Sequence, residues 1–343
     1  MKIKKLAATL TAALGLSVVA VGNAQSVELR VGDSLPPDHI IARHLTQPWI
    51  EKVQQASKGE VKIKHYPAEQ AGKAKDMLSL TQSGVLDIGY VGPAYVSDKM
   101  PLSGVGELPG LFTTSCQVTK AYWSLAKEGG YFYEKEFKPN KIRPLFIAAL
   151  PPYQLAVSNN KALNDLSDFA GLKIRAAGGA QELSLSKLNA VAVKMAPPDI
   201  YESMSRKTID GTLLPFISLD SYKLSPLIKA STHGANFGTV IVTYSISDRA
   251  WNRLSKETQE LLTQVGDEVT QNACEQFDRE EQEVMAQLEA DGVQLIEFNE
   301  ADQERLTTII QEVSQNWADR LDARNRPGSE ALNEFNNALS QVD

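Results

Sequence analysis

The sequence predicts an α/β protein whose strands pair largely in parallel. Short strand-like runs alternate with amphipathic helical stretches along the 343 residues, which is the pattern of parallel sheets joined by helical crossovers. One run, RPLFIAAL at 143–150, is almost wholly apolar, as expected of a strand buried on both faces. The length favours about two domains. Because no low-complexity linker separates them, we expect the chain to cross between the two units several times.

The elements can be assigned in order along the chain. Alternating or apolar runs predict strands in VELRVGD, EVKIKHYP, LDIGYVGPAY, RPLFIAAL, GLKIRA, AVAVKMAP, GTLLPF, TVIVTYSIS and GVQLIEF. Helical spacing predicts helices near 40–57, 73–83, 115–128, 180–190 and 198–207. From about 249 to Gly292 the helical spacing is continuous and rich in i,i+4 charge pairs, and a second long helix covers about 300–324. The tail from Arg326 carries weak signals, and we expect it to pack loosely.

The N-terminus predicts secretion. Lys2, Lys4 and Lys5 form a basic segment, 6–21 is uncharged and apolar, and Gly22-Asn23-Ala24 offers small residues for cleavage. This is the pattern of a cleaved signal peptide covering 1–24 and therefore of a periplasmic protein. An uncleaved membrane anchor is the alternative interpretation.

Composition excludes some partners. The formal net charge is −7, and removal of the signal segment takes away three lysines and no acidic residue, which makes the mature chain more acidic still. An acidic chain lacks the electrostatic features that bind nucleic acid or anionic membranes. The two cysteines, Cys116 and Cys274, are too few for a disulfide scaffold. Two separate buried thiols are the simpler expectation, and a single bridge is the alternative.

Motifs for catalysis and metal binding are missing from the sequence. It contains no HExxH, CxxC, GxSxG or P-loop pattern. The segment GVGELPG at 104–110 imitates a dinucleotide fingerprint, but its glycine spacing is wrong and Pro109 stands where a helix should continue. Pairs of carboxylates can be chosen freely in so acidic a chain and therefore have no diagnostic value. We expect neither an enzyme nor a metal site nor a cofactor.

Arg175 is the residue that most suggests a binding site. It stands at the end of the strand GLKIRA and just before Ala-Ala-Gly-Gly, where the backbone can approach another group closely. A helix begins near Ala180, so unpaired backbone N–H groups are expected beside the same crevice.

Two long segments carry a family resemblance. GEVKIKHYPAEQAGKAKDMLSLTQSGVLDIGYVGPAY and DFAGLKIRAAGGAQELSLSKLNAVAVKMAPPDIYESMSRKTIDG resemble the DctP-like solute-binding proteins of tripartite ATP-independent periplasmic (TRAP) transporters. The diagnostic features are the GLKIR strand, the P-x-D-x-Y helix start and the x-x-I-D-G turn. The similar region extends from about Val27 to Leu321.

The resemblance implies a two-lobed periplasmic-binding-protein-like clamshell with mixed, mainly parallel sheets and a long helix that spans both lobes. We expect lobe I in 25–149 plus about 240–275, lobe II in 150–239 plus about 276–325, and a C-terminal tail in 326–343. In this family a small organic acid bound between the lobes drives closure and is delivered to a membrane permease. The family arginine that pairs with the ligand carboxylate falls on Arg175, and a guanidinium matches a carboxylate as a bidentate fork.

Three positions depart from sialic-acid-binding relatives. A second arginine is replaced in PPYQLAVSN by Tyr153 and Gln154, an asparagine is replaced in DGTLLPF by apolar side chains, and an acidic residue is replaced in VGPAY by Gly92 and Tyr95. Each change removes a polar partner. A pocket without such partners rejects polyhydroxylated ligands, because their hydroxyls would be buried unpaired. We therefore expect a monocarboxylate with an apolar or aromatic body.

These considerations give a set of candidate ligand contacts: Arg175, Tyr153, Gln154, Tyr95, Phe216, Asn236, Phe237, Leu214, Tyr90 and His39. Ordinary core packing is the alternative role for each aromatic residue. A lone histidine such as His39 is more often structural, although it follows a strand end where open α/β sheets bind ligands.

The expected function is the periplasmic solute-binding component of a TRAP transporter. Its partners are a small organic-acid ligand and the permease subunits, and we expect a monomer. Two alternatives stay open at this point: the loaded protein docks on a sensor rather than a permease, or it is a periplasmic enzyme.

Overall fold

The computed structural model describes residues 26–158 and 163–342. The predicted signal segment 1–24 lies outside these residues. Within them, no helix combines the length and the apolar character needed to span a bilayer.

Two mixed sheets form two lobes, which is the predicted fold class. The first sheet has the order β2-β1-β3-β10-β4 and the second the order β11-β9-β5-β8-β6-β7. The strands are β1 Val27–Gly32, β2 Val61–Tyr66, β3 Ile88–Val91, β4 Ile142–Ala149, β5 Gln154–Val157, β6 Lys173–Ala176, β7 Val191–Lys194, β8 Gly211–Leu214, β9 Ala230–Thr232, β10 Ile241–Ser247 and β11 Gln294–Ile296. We call the first sheet with its helices lobe I and the second lobe II.

Pairing is parallel where helices connect the strands and antiparallel where the chain crosses between lobes. In lobe I, β1 runs parallel to β2 and β3, whereas β10 is antiparallel to β3 and β4. In lobe II, β6 runs parallel to β7 and β8, whereas β5 is antiparallel to β8 and β9. Strands β5 and β9 were not predicted from the sequence, because each is a short strand without clear alternation.

The α-helices are α1 Gln47–Ala56, α2 Met77–Ser83, α3 Ser115–Ala126, α4 Ala180–Lys187, α5 Ile200–Ser205, α6 Phe216–Ser221, α7 Asp248–Trp251, α8 Lys256–Ala290, α9 Glu300–Asp322 and α10 Gly328–Leu339. The predicted continuous helix from 249 is interrupted after α7. Ser255 starts α8, since its hydroxyl accepts the backbone N–H of Thr258.

Helix α8 is the support shared by both lobes. It packs on β4, α1 and α3 in lobe I and on α6 in lobe II. Gly266 allows close contact with lobe I, because a side chain there would collide with the carbonyl oxygen of Leu145 in β4. Glu281, further along α8, accepts the backbone N–H groups of Phe216 at 3.0 Å and Ile217 at 2.9 Å. The same helix therefore fixes β4 of lobe I and the start of α6 of lobe II.

Two of the segments that cross between the lobes lie side by side at the hinge. Tyr153 N donates to Gly238 O at 2.8 Å, and Phe237 N donates to Tyr153 O at 3.1 Å. Gly238 has a φ of +87°, and a side chain there would collide with the carbonyl oxygen of Glu107. The crossings before β5 and before β10 are thus hydrogen-bonded to each other.

The C-terminal segment is well packed, and the expectation of loose packing is wrong. Helix α10 contacts α9 and α3, and Phe335 is fully buried among them. The apolar residues of this helix are spaced for burial on one face, but the segment is short and begins at Gly328 directly after Pro327, which obscured the signal.

The two cysteines form a disulfide, which corrects the expectation of separate thiols. Cys116 lies near the start of α3 and Cys274 lies in α8, with a Cα–Cα distance of 4.7 Å and a sequence separation of 158. Asp278, one helical turn beyond Cys274, accepts the backbone N–H groups of Ser115 at 2.6 Å and Cys116 at 3.0 Å. Helix α3 is therefore attached to α8 by a covalent bond and a carboxylate cap.

Removing this bridge should destabilise the fold. We expect the double substitution Cys116→Ser and Cys274→Ser to lower the free energy of unfolding by roughly 2–4 kcal/mol, the usual range for a native disulfide. Urea unfolding of the wild type and the variant measures the difference. A reductant should weaken the wild type and leave the variant unchanged. Equal unfolding midpoints for the oxidised wild type and the variant would contradict a stabilising role.

Glu281 should make stability depend on pH. Burial raises its pKa to about 7, although the N–H groups of Ile217 and Phe216 oppose the shift. Between the ordinary value of 4.5 and about 7, the folded protein holds a proton that the unfolded chain releases, so the Glu281 contribution is lost as pH rises through this window. We expect the stability advantage of the wild type over Glu281→Gln to shrink from pH 5 to pH 8 in urea unfolding. Parallel pH profiles for the two proteins would show that this carboxyl group does not titrate as described.

Candidate functional site

Arg175 lies at the interface of the lobes with its charge buried. It is the third residue of β6, is only 1 % exposed and is flanked by Val193 of β7 and Thr212 of β8. Its Nε donates to Met195 O at 3.0 Å and its Nη1 donates to Leu213 O at 3.4 Å. Both acceptors are neutral carbonyl groups. Removal of a guanidinium from water is costly unless an anion compensates its charge.

The protein itself supplies no such anion among the residues that the structure describes. None of the ion pairs formed by residues 26–158 and 163–342, within an N–O distance of 4.0 Å, includes Arg175. The arrangement therefore suits an external anion that reaches the free side of the guanidinium.

Three tyrosines face Arg175 from both lobes. Burial raises the pKa of Tyr95, and the nearby Arg175 guanidinium opposes the shift through its charge and a hydrogen bond. Burial also raises the pKa of Tyr153, again opposed by the charge of Arg175. Tyr222, just after α6, shows the same pattern and is in addition close to Tyr95 and Tyr153. All three hydroxyls are therefore neutral at physiological pH and can donate or accept hydrogen bonds.

Tyr90 extends this aromatic group into lobe I. It lies on β3, two residues before the strand gives way to Gly92, and its ring centroid is 6.4 Å from that of Tyr95 and 5.8 Å from that of Tyr244. The carboxyl ends of β1 and β3 in lobe I thus face those of β6 and β8 in lobe II, the edge at which open α/β sheets bind ligands.

The loop after β1 closes another side of the site. Asp33 is fully buried and holds this loop, since its Oδ1 accepts Leu35 N at 2.8 Å and its Oδ2 accepts the Tyr244 hydroxyl at 2.6 Å. His39 follows in the same loop, and its ring centroid lies 4.8 Å from that of Tyr222. The loop therefore meets lobe II at the end of α6.

Glu107 and Gly178 mark a close contact between the lobes on the opposite side. A side-chain carbon at Gly178 would lie 3.1 Å from the carbonyl oxygen of Ala94, and the residue has a φ of +129°. Burial raises the pKa of Glu107 to about 8, although the N–H groups of Ile241 and Ala94 and the charge of Lys194 oppose the shift. Glu107 thus lies beside the site largely as a neutral acid.

The structure divides the predicted contacts into two groups. Tyr95 and Tyr153 lie close to Arg175, and Tyr90 lies close to Tyr95. The His39 ring packs on Tyr222 in the same region. Leu214 ends β8 next to the carbonyl group that Arg175 contacts. A second group lines a crevice of about 240 Å³ at the hinge, on the side of Glu281. This group consists of Gln154, Phe216 and Asn236.

The polar members of the hinge group already have partners inside the protein. Asn236 donates to Phe112 O at 2.7 Å and accepts Gly238 N at 2.8 Å. Gln154 donates to Ala235 O at 2.5 Å and accepts the Thr232 hydroxyl at 2.9 Å. In this structure Asn236 and Gln154 therefore hold the hinge through hydrogen bonds within the protein.

Phe237 belongs to the core of lobe II. It is 1 % exposed, and its ring centroid lies 5.6 Å from that of Phe169. Its position fits core packing, the alternative role expected from the sequence.

Tyr222, Glu107 and Asp33 were not predicted from the sequence. Asp33 directly follows β1, so its position at a strand end was a usable signal. Tyr222 and Glu107 lie in segments that the sequence does not identify as regular elements, and only the folded chain brings Tyr222 close to Arg175 and Glu107 close to Tyr95. Among the described residues, no group of three or more His, Cys, Asp and Glu side chains is arranged to hold a metal ion.

Comparison with known proteins identifies the family. Residues 31–320 match the model of the DctP family, described as bacterial extracellular solute-binding protein, family 7. Outer membrane transporter protein TsaT of Comamonas testosteroni is 24% identical over 327 residues, with 94% of each chain covered. The sialic acid-binding periplasmic protein SiaP of Vibrio cholerae is 22% identical over 249 residues, covering 71% of this chain and 74% of that protein.

Solved structures show the same fold. A TRAP periplasmic solute-binding protein from Bordetella bronchiseptica, with bound (R)-mandelate and (S)-mandelate, has a TM-score of 0.81 and 27% identity, covering 92% of this chain and all of that one. A TRAP solute-binding protein from Rhodoferax ferrireducens, in complex with copurified benzoate, has a TM-score of 0.83 and 19% identity, covering 92% of this chain and 98% of that one. The chain therefore belongs to the DctP family of bacterial extracellular solute-binding proteins, the solute-binding components of TRAP transporters.

Proposed function

We propose that this protein captures a small aromatic monocarboxylate between its lobes and delivers it to a TRAP membrane permease. The observation that carries the proposal is the buried guanidinium of Arg175, which has only uncharged partners among the described residues. A ligand carboxylate would supply the missing negative charge. Charge-assisted hydrogen bonds of this kind contribute about 1.5–3 kcal/mol each.

The walls of the site favour an aromatic body. Tyr90, Tyr95, Tyr153 and Tyr222 supply buried aromatic rings and neutral hydroxyls, and Arg175 is the cation that acts on Tyr95, Tyr153 and Tyr222. One charged anchor and several aromatic walls match a flat acid with a single carboxylate. The relative from Bordetella bronchiseptica, 27% identical, holds mandelate, an acid of this class.

Closure of the lobes is the proposed mechanism. We place lobe I in 25–149 plus about 240–275 and lobe II in 150–239 plus about 276–325. The tail is 326–343, and its helix α10 packs against α9 and α3. Two contacts across the cleft support this mechanism. Ile40 N donates to the Ser221 hydroxyl at 3.2 Å, and Lys223 Nζ lies 3.8 Å from Asp38 Oδ2. A ligand that contacts both lobes would shift the protein toward this closed arrangement.

The proposed location is the periplasm, reached by a cleaved signal peptide in 1–24. We propose that the protein acts as a monomer and binds its ligand without converting it. Neither the family match nor the relatives support the sensor or enzyme alternatives.

Replacing Arg175 should abolish tight binding. We expect Arg175→Ala to weaken benzoate or mandelate binding by roughly 10²–10⁴-fold, because two charge-assisted hydrogen bonds are lost. Arg175→Lys should recover only part of the loss, since an ammonium cannot form the planar fork. Isothermal titration calorimetry measures the dissociation constants.

Arg206→Ala is the matched control for this test. Arg206 is an exposed arginine of the same lobe that pairs with Glu202, and its removal should leave affinity unchanged. Far-UV circular dichroism checks that each variant is folded. If a folded Arg175→Ala protein binds the acid as tightly as the wild type, the anchoring role is refuted.

The site should distinguish acids by their polarity. We expect benzoate, phenylacetate or mandelate to raise the melting temperature, and N-acetylneuraminate to leave it unchanged, because the site offers too few hydrogen-bond partners for its many hydroxyls. A thermal-shift screen at equal concentrations tests this. Stabilisation by N-acetylneuraminate alone would exclude the proposed ligand class.

A further inference from the structure

His39 is a fully buried polar side chain with an unused ring nitrogen. Its relative exposure is 0%, and Nε2 has no hydrogen-bond partner among the residues that the structure describes. Buried polar atoms in folded proteins are nearly always paired, and an unpaired one costs about 1–3 kcal/mol. Such a group in a ligand-binding protein points to a partner that arrives with the ligand.

The other ring nitrogen determines what His39 can offer. Nδ1 accepts the backbone N–H of Ile41 at 3.1 Å, so the proton of the neutral ring is on Nε2. Burial, assisted by the charge of Arg43, lowers the pKa of His39 to about 3. The ring is therefore neutral in the periplasmic pH range, and Nε2 is a hydrogen-bond donor without charge. It therefore does not supply a second positive charge for the ligand carboxylate.

His39 lies where the first loop of lobe I meets α6 of lobe II. Its ring packs on Tyr222, and the neighbouring Ile40 N donates to the Ser221 hydroxyl across the cleft. Tyr222 in turn is close to Arg175, Tyr95 and Tyr153. The unused donor therefore belongs to the same binding region as the carboxylate anchor.

Two hydroxyls on the same facing segments also lack partners. Ser34 is on the loop after β1, Ser218 is on α6, and both Oγ atoms are buried without a hydrogen bond in the described structure. Each side of the contact between this loop and α6 therefore carries buried polar groups without a hydrogen-bond partner. A purely apolar ligand would leave all of these groups unpaired.

We propose that His39 is a specificity-determining residue, which donates a hydrogen bond from Nε2 to a hydroxyl or keto oxygen of the ligand. The substrate class is then an aromatic monocarboxylate that carries a second, uncharged polar substituent. This inference rests on the proposed function, because it assumes that Arg175 binds the carboxylate.

The test compares acids that differ only in one hydroxyl. Binding is measured calorimetrically for benzoate with 3-hydroxybenzoate and 4-hydroxybenzoate, and for phenylacetate with mandelate. In the wild type, at least one hydroxylated acid should bind roughly tenfold more tightly than its parent, the effect of one neutral buried hydrogen bond. In His39→Phe the ratio of the two dissociation constants should fall to about one, while affinity for the parent acid stays within about threefold of the wild-type value.

Two further variants control the comparison. His39→Gln keeps a side-chain N–H donor and should retain part of the preference. His233→Phe removes a half-exposed histidine that pairs with Glu297, and it should retain the full preference. A hydroxyl preference that persists in folded His39→Phe overturns the proposal, and so does a wild type that binds every parent acid as tightly as its hydroxylated form.

A measurement on the wild type covers the case in which His39→Phe does not fold. Binding of the preferred hydroxylated acid should shift the Hε2 resonance of ¹⁵N-labelled His39 downfield, and binding of its parent should not. Equal shifts with both acids overturn the proposal, because they reflect packing against Tyr222 alone. Failure of the proposed function has a different signature. Either none of these acids binds the wild type, or Arg175→Ala binds them as tightly as the wild type does. Both results also refute the inference about His39.

Discussion

The buried charge of Arg175 is the constraint to which the rest of the site responds. Strand β6 carries this side chain into the contact between the lobes, where it is buried and its hydrogen-bond partners are two carbonyl oxygens and the Tyr95 hydroxyl, all of them uncharged. An uncompensated charge in such a place costs several kcal/mol. The tyrosines around it moderate this cost with their hydroxyl dipoles, but they do not neutralise it. A carboxylate bound between the lobes does, and this couples ligand binding to closure.

The scaffold holds both sides of the cleft through one helix. Helix α8 packs on β4 and is joined to α3 by the Cys116–Cys274 bridge, while its Glu281 caps α6. Helix α6 leads directly to Tyr222, and Asp33 holds the opposing loop through Tyr244. The hinge crossings at Tyr153 and Gly238 are hydrogen-bonded to each other. Rigid lobes joined at a narrow hinge are suited to a motion in which the site opens and closes as a unit.

Much of this arrangement could be predicted from the sequence. Strand β6 and the position of Arg175 at its end followed from local alternation and from the glycines after it, whereas the binding role of Arg175 and the choice of Tyr90 and Tyr95 followed from the family resemblance. Tyr222 could not be found in this way, because nothing local shows that the residue after α6 meets a loop nearly 190 positions earlier in the chain. Asn236 and Gln154 have the right chemistry for a ligand, but long-range backbone partners at the hinge occupy them. The disulfide required knowledge that α3 and α8 lie side by side, and α10 was too short a pattern to separate from a loose tail.

The central claim is that a ligand carboxylate provides the counter-charge for Arg175. A crystal structure of the protein with benzoate or mandelate tests it most directly. The account predicts both carboxylate oxygens within about 3.2 Å of the Arg175 guanidinium nitrogens, with the aromatic ring between the tyrosines of the two lobes. A carboxylate bound elsewhere, or an Arg175 that pairs with an acidic side chain of the protein when the ligand is bound, would contradict it.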